Sequence, residues 1–401
     1  MTAVVERPVE GPRRPVLRPL LGLLLLVAAV AGAVFAALPA RSADPLLVST
    51  TPEMHERVRS PDEVRLTFDQ PVPTALVTVR MTSPTGDQLV TGRPYRPADA
   101  GADTVAVAMP ETRYQGTYWV TWSVPTATWE TAQGRFEFHV FSATAEPAVP
   151  ELRGDPHPVL AVALGIARAV GLVGFVLLVA TALRAAGGIA TRRSLVRAWW
   201  TTAAATALTL FLFGGYAART GLWGALDPAL VPGSAASTVG TALLARLLGL
   251  VVAAVGLRLL VRTDRGGALR TAGVLAGGAV LAVTFVVASP HEAGGPSLVA
   301  LLGGVAALVA AGVVVGTLFS AEPRTGVLLG AALVLLASGV TAGVTQAAVL
   351  AVAGVVVAVG GLIAGRAPAS FVLRVGVSAA VLAAVVAVGL LPVGPALLAL
   401  G

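Results

Sequence analysis

Between residues 44 and 141 apolar and polar positions alternate in short runs. Val64-Arg65-Leu66-Thr67-Phe68 puts its apolar residues on one face, and the pattern recurs at Leu76–Val79, Thr104–Val107, Tyr118–Trp122 and Phe136–Val140. A period of two marks a strand with one buried face. Turn signals separate the runs, as in Ser83-Pro84-Thr85-Gly86 and Gln115-Gly116. Several short strands punctuated in this way predict an immunoglobulin-like all-β sandwich. Residues 142–157 read as a linker.

From Pro158 the alternation gives way to long apolar segments near 158–183, 198–218, 238–261, 270–289, 297–319, 326–342, 345–364 and 370–392. Each is long enough to cross a hydrocarbon layer of about 30 Å as a helix. Upstream, Arg7, Arg13, Arg14 and Arg18 precede an apolar run from Pro19 to Ala40. That layout belongs to a signal sequence or an N-terminal anchor. The predicted class is therefore mixed: residues 1–43 a cytoplasmic tail with a signal/anchor helix, 44–141 an exported sandwich, and 158–401 a polytopic α-helical membrane bundle of about eight spans.

Composition supports the bundle: 56% of residues are hydrophobic and 12% charged, half the charge of an ordinary soluble chain. The absence of Cys excludes disulfides, thiolate metal sites and a Cys nucleophile. Residues 41–155 carry ten Arg against fifteen acids, whereas 156–401 carry fourteen Arg against four acids. Arg placement orients the spans. With the N-terminus inside, the inner loops hold Arg184, Arg192, Arg193 and Arg197, then Arg262, Arg265 and Arg270, then Arg324, then Arg366, and the outer loops between spans hold only Arg219. This satisfies the positive-inside rule and puts the sandwich and the C-terminus outside a plasma membrane. Basic charge spent on topology, without interleaved aromatics, gives no nucleic-acid surface.

The exported segment resembles the CopC copper-resistance family. The resemblance rests on Leu47-Val48-Ser49-Thr50-Thr51-Pro52 with Val58, on Pro61–Phe68 followed by Pro71-Val72, and on Gly116-Thr117-Tyr118, Val120, Trp122, Gly134, Phe136, Phe138 and Val140. A CopC domain followed by eight spans is similar in layout to fused CopC–CopD proteins. Ser237-Thr238-Val239-Gly240 with Arg246, Arg168 with Gly171 and Gly174, and Ser289-Pro290-His291-Glu292-Ala293 resemble CopD segments more loosely. The resemblance implies copper as cargo, bound in the sandwich by an N-terminal His, a Glu after the second strand and an Asp-Gly-His in the last hairpin. Those positions read Asp44, Gln70 and Thr128-Trp129-Glu130 here. Imidazoles suit Cu(II) and carboxylates suit harder ions, so Asp44 and Glu130 are at most a weak metal pair. The Met-rich segment of some relatives is also missing, with Met54, Met81 and Met109 dispersed.

Four histidines remain. His55 reads as a solvated loop residue, and His139, alternating with Phe138 and Val140, falls on the polar face of its strand. His157 and His291 lie above the membrane, where two imidazoles can meet and accept a soft cation. Arg168 and Arg246 sit inside spans. Arg168 is ten residues past Pro158, about 15 Å along a helix. A charge at that depth marks function by default, anchoring an anionic group or gating, with a carbonyl-bonded or snorkelling Arg as the plain alternative. Arg246 is shallower, where snorkelling is easier. Trp122 and Tyr118 belong to the core, and Trp129 is placed to touch a partner or the bundle. No P-loop, triad or dinucleotide fingerprint occurs, so no enzyme is expected. Two functions remain open: a membrane protein of copper homeostasis, or a diverged relative whose sandwich is an interaction or regulatory module facing another extracytoplasmic protein.

Overall fold

The computed structural model describes residues 45–89, 91–109, 114–126, 131–144, 157–188, 192–220, 223–261, 267–288, 298–319, 325–341 and 371–390. The expected N-terminal helix and the span near 345–364 lie outside these residues.

Residues 47–140 form a sandwich of two sheets. Strands β1 (Leu47–Thr51), β3 (Glu63–Phe68) and β6 (Thr104–Ala108) form one sheet in the order β1-β3-β6. The other is ordered β2-β8-β7-β4-β5, from β2 (Arg57–Val58), β4 (Thr78–Thr82), β5 (Gln88–Leu89), β7 (Gly116–Pro125) and β8 (Thr131–Val140). The β7–β8 hairpin pairs ten residues on each side, from Gly116 opposite Val140 to Pro125 opposite Thr131. The alternating apolar positions meet between the sheets: Val64, Leu66, Phe68, Val105, Val107, Tyr118, Val120, Trp122, Phe136 and Phe138 are all buried. Phe68 meets Trp122 edge-on at 5.3 Å, and Tyr118 stacks on Phe138 at 5.5 Å, geometries favoured by ring quadrupoles.

The second half is helical. Its elements are α1 (Pro158–Ala186), α2 (Arg192–Ala217), the short α3 (Leu230–Ala236), α4 (Thr238–Val261), α5 (Gly267–Val287), α6 (Leu298–Leu318), α7 (Thr325–Thr341) and α8 (Phe371–Leu390). Five are long and apolar enough to cross a membrane: α1, α2 and the stretches Thr238–Gly256, Arg270–Val287 and Leu301–Leu318. Helices are the expected form, because lipid offers no partner to an open backbone group. Helix α2 starts six residues earlier than its apolar pattern, at Arg192 rather than 198. Its basic first turns extend the helix toward water, where long Arg stems can reach. Polar side chains within the bundle bond internally. The hydroxyls of Thr202, Thr206 and Thr209 each donate to the carbonyl four residues back, at 2.7 to 2.8 Å, and Trp199 Nε1 donates to the Leu250 carbonyl at 2.9 Å. Helix α1 packs at the centre against α2, α5, α6 and α8. Small residues allow this: a Cβ on Gly174 would stand 3.0 Å from the Thr202 backbone nitrogen.

The two halves dock through the segment between β3 and β4. Leu76 was expected to open a strand; instead Thr74–Leu76 forms a 3-10 turn. The turn lifts Leu76 out of the sandwich core and into an apolar cluster with Leu164 of α1, Phe213 of α2, Val239 and Leu243 of α4, and Ala288 at the end of α5. Around it Thr78 Oγ1 donates to the Ala218 carbonyl at 3.3 Å, Arg93 pairs with Asp227 at 3.2 Å, and Arg219 bonds the hydroxyl of Thr131. Arg96 stiffens the segment by donating to the carbonyls of Val72 and Ala102.

Candidate functional site

The segment after β1 runs alongside the C-terminal end of β8 and pairs with it as β2 at the edge of the sheet. His55 adopts φ 62°, a left-handed conformation uncommon outside glycine but more tolerated by His than by bulky residues. Its backbone N–H donates to the Glu137 carbonyl at 2.8 Å and its Nδ1 lies 2.9 Å from Glu137 Oε1. One strand period beyond Glu137, His139 points to the same side, and its N–H donates to the Glu56 carbonyl at 2.8 Å. Among the described residues, His55, Glu137 and His139 form a cluster whose ligand atoms all lie within 4.8 Å of one another. Donors on opposite sides of an ion with bonds of about 2 Å stand about 4 Å apart, so modest side-chain rotation would close the set.

Both imidazoles are engaged through Nδ1. Thr117 Oγ1 donates to the Thr144 carbonyl at 3.1 Å and accepts from Thr144 N–H at 3.0 Å. The same hydroxyl lies 3.1 Å from His139 Nδ1. His55 Nδ1 in turn lies 2.9 Å from Glu137 Oε1, and an ion entering the cluster would replace the proton shared between them. Two imidazoles and a carboxylate suit Cu(II), Ni(II) or Zn(II), and a three-donor set leaves a position open for water or a transferred ligand. The His55 side chain is 65% exposed, so an ion can reach the cluster from solvent.

This group differs from the candidates expected from sequence. His139 is buried at 9% exposure instead of lying on a solvated face, with Thr117 Oγ1 at 3.1 Å from its Nδ1 and the His55 ring 6.5 Å away. His55 is exposed as expected, but it is bonded rather than merely solvated. Glu137 attracted no notice. The local signal available was the Glu137-x-His139 spacing on one strand face; nothing in the sequence placed the segment after β1 beside the last strand. Gln70 is half-buried after β3. Asp44, Thr128, Trp129, Glu130 and His291 lie outside the described residues. His157 caps the N-terminus of α1, with its carbonyl accepting from Leu160 and Ala161 N–H at 2.9 and 3.0 Å. Trp122 and Tyr118 are core residues as expected.

Arg246 does not snorkel: it is 5% exposed, with Nε and Nη2 donating to the Thr284 hydroxyl and carbonyl at 3.2 and 2.8 Å. Its guanidinium carbon stands 3.5 Å from the Phe285 ring centroid. Arg168 is half-buried, and both arginines line one small cavity in the bundle.

Residues 47–141 match the family model of the CopC domain. CopC from Methylosinus trichosporium OB3b is 26% identical, over 26% of this chain and 98% of that one, with a TM-score of 0.22. PcoC, a methionine-rich copper resistance protein from Escherichia coli, is 20% identical, over 24% of this chain and 99% of that one, also at 0.22. No curated protein matches this chain. Residues 47–141 thus form a CopC domain, followed by a helical region that has, among the described residues, five helices long and apolar enough to cross a membrane.

Proposed function

We propose that this is a plasma-membrane protein of copper homeostasis, in which a CopC domain outside the cell membrane captures Cu(II) and a CopD-like bundle holds that domain at the bilayer. The observation that carries the reading is the His55–Glu137–His139 cluster, whose ligand atoms all lie within 4.8 Å of one another. It supplies the imidazole donors that Asp44, Gln70, Thr128 and Glu130 no longer provide at the family's ligand positions. Orientation follows from the charge pattern and is supported by docking. The Thr74–Leu76 turn packs on α3 at Gly233, and Leu76 joins an apolar cluster with residues at the ends of α1, α2, α4 and α5 that the Arg distribution assigns to the outside.

The site lies far from the bundle. Thr131, at the start of β8, touches Arg219, and His139 is eight residues further along the strand, about 26 Å away at about 3.3 Å per residue. An ion held there faces away from the membrane, which suits capture and exchange with a soluble carrier better than direct entry into the bundle. The chain carries out no reaction of its own on this reading. A second reading, an interaction or regulatory module, is favoured by one observation. The membrane-proximal end of the sandwich, where the family's hairpin ligands would stand, is docked on the bundle through Thr78, Thr131 and Leu76.

Titration of the full-length protein in nanodiscs separates the two. Capture predicts one Cu(II) bound more tightly than about 1 μM, lost in His55→Ala and His139→Ala and kept in Asp44→Ala and Glu130→Ala. Loss in the second pair alone returns the site to the family position. No saturable binding in the unaltered protein overturns the copper reading and leaves the regulatory one.

A further inference from the structure

The segment between α2 and α3 carries the most exposed large apolar side chain among the described residues. Trp223 is 82% exposed, and Leu226, at the end of the 3-10 turn Gly224–Leu226, is 51% exposed. The turn itself is held firmly. The N–H groups of Leu226 and Asp227 donate to the carbonyls of Trp223 and Gly224, each at 3.2 Å. Ala225 is buried on α2, so close that a Cβ on Gly215 would stand 2.4 Å from its own. Asp227 Oδ1 accepts the Ala229 N–H at 2.9 Å, and Oδ2 pairs with Arg93 of the sandwich at 3.2 Å. A rigid turn that leaves an indole and a leucine uncovered forfeits their burial unless something apolar meets them. Helix α2 gives the level at which they stand. Trp200, Ala204 and Leu208 are exposed at four-residue spacing and form one outward stripe. From Trp200 to the helix end at Ala217 is seventeen residues, about 26 Å at about 1.5 Å per residue. The hydrocarbon layer is about 30 Å deep, and indoles collect at its two boundaries. Trp200 therefore falls at the inner boundary and Trp223, on a turn packed against the last turn of α2, at the outer one. A contact with a second helix bundle would favour small residues, whereas this turn offers two large ones.

We propose that Trp223 and Leu226 form an interfacial anchor that inserts into the boundary between headgroups and acyl chains of the outer leaflet. Asp227 of the same turn is paired with Arg93, so the anchor ties the height of the CopC domain to the bilayer surface. The proposal rests on the helices spanning a membrane and is independent of copper capture.

The test is tryptophan fluorescence of the full-length protein in phosphatidylcholine nanodiscs, with the lipid brominated either near the headgroup or near the acyl terminus. The difference between the unaltered protein and Trp223→Phe reports Trp223 alone. That difference should lose more intensity to bromine near the headgroup than to bromine near the acyl terminus or to aqueous iodide. Trp200→Phe supplies the matching reading for the inner boundary. Bimane attached to Leu226→Cys, the single thiol in a chain without Cys, repeats the measurement should Trp223→Phe fail to fold. Bromine quenching at Trp200 with none at Trp223 and Leu226, or iodide quenching there in its place, overturns the anchor and leaves the membrane placement intact. No bromine quenching at either tryptophan overturns both. Disulfide-linked dimers of Trp223→Cys without bromine quenching at Leu226 assign the turn to a second copy of the chain and overturn the proposal equally.

Discussion

Truncating Leu76 to alanine perturbs the seam between the two halves while sparing the sandwich core. Leu76 is fully buried in an apolar cluster whose other buried members, Leu164, Phe213, Val239 and Leu243 among them, all belong to the bundle. A Leu→Ala change in a rigid core costs about 2–5 kcal/mol, the spread reflecting how far the surroundings collapse. A docking surface can close up more than a core, so about 2 kcal/mol is expected here, a shift of about 30-fold from docked toward undocked. Hydrogen exchange on the full-length protein reads this locally. The Leu76 and Val77 amides donate to the carbonyls of Pro73 and Thr74, and both should exchange about 30-fold faster. Amides of the β7–β8 hairpin should be unchanged. Equal acceleration across the hairpin would make Leu76 part of the sandwich core, and no acceleration at Leu76 would remove the interdomain contact; either result refutes the reasoning.

Helix packing and acid sensitivity give further checks. Gly174→Ala places a Cβ 2.8 Å from Thr202 Oγ1 and 3.0 Å from the Thr202 backbone nitrogen, so α1 and α2 must separate. Thermal melting in nanodiscs should show a loss of about 1–3 kcal/mol, and an unchanged melt would mean that the helices are not in contact there. The Glu63 carboxyl is held below its ordinary value chiefly by the hydrogen bond from the Tyr95 hydroxyl, then by that from Arg65. A depressed carboxyl contributes stability above its unfolded value and loses it as pH falls through the folded one. The CopC domain should therefore weaken on acidification below pH 4.5, and Glu63→Gln should flatten that limb of a denaturation-against-pH curve. An identical curve for the variant would count against the hydrogen-bonded trio.

Elements with strong periodicity were legible in the sequence. The strands around Leu66, Val105, Val120 and Phe138 and most helix bounds from Pro158 to Leu390 follow from period and length. Leu76 misled because a short apolar pair has no period of its own, and its burial is supplied by a different part of the chain. His139 misled for a related reason: alternation identifies the outer face of β8 but not the neighbours, Thr117 and His55, that the fold brings to it. The arginines were legible as anomalies of depth. Their sharing of one cavity depends on the crossing of α1 and α4, which no local pattern encodes. The His55–Glu137 contact joins residues 82 apart, and only the closing of the sandwich brings them together.

Pulsed electron paramagnetic resonance of the full-length protein carrying one equivalent of Cu(II) tests the capture site most directly. The spectrum should contain couplings from the remote nitrogens of two imidazoles, with one remaining in His55→Ala or His139→Ala and neither in the double variant. Two imidazole couplings that persist in the double variant, or none in the unaltered protein, would contradict copper capture by His55, Glu137 and His139.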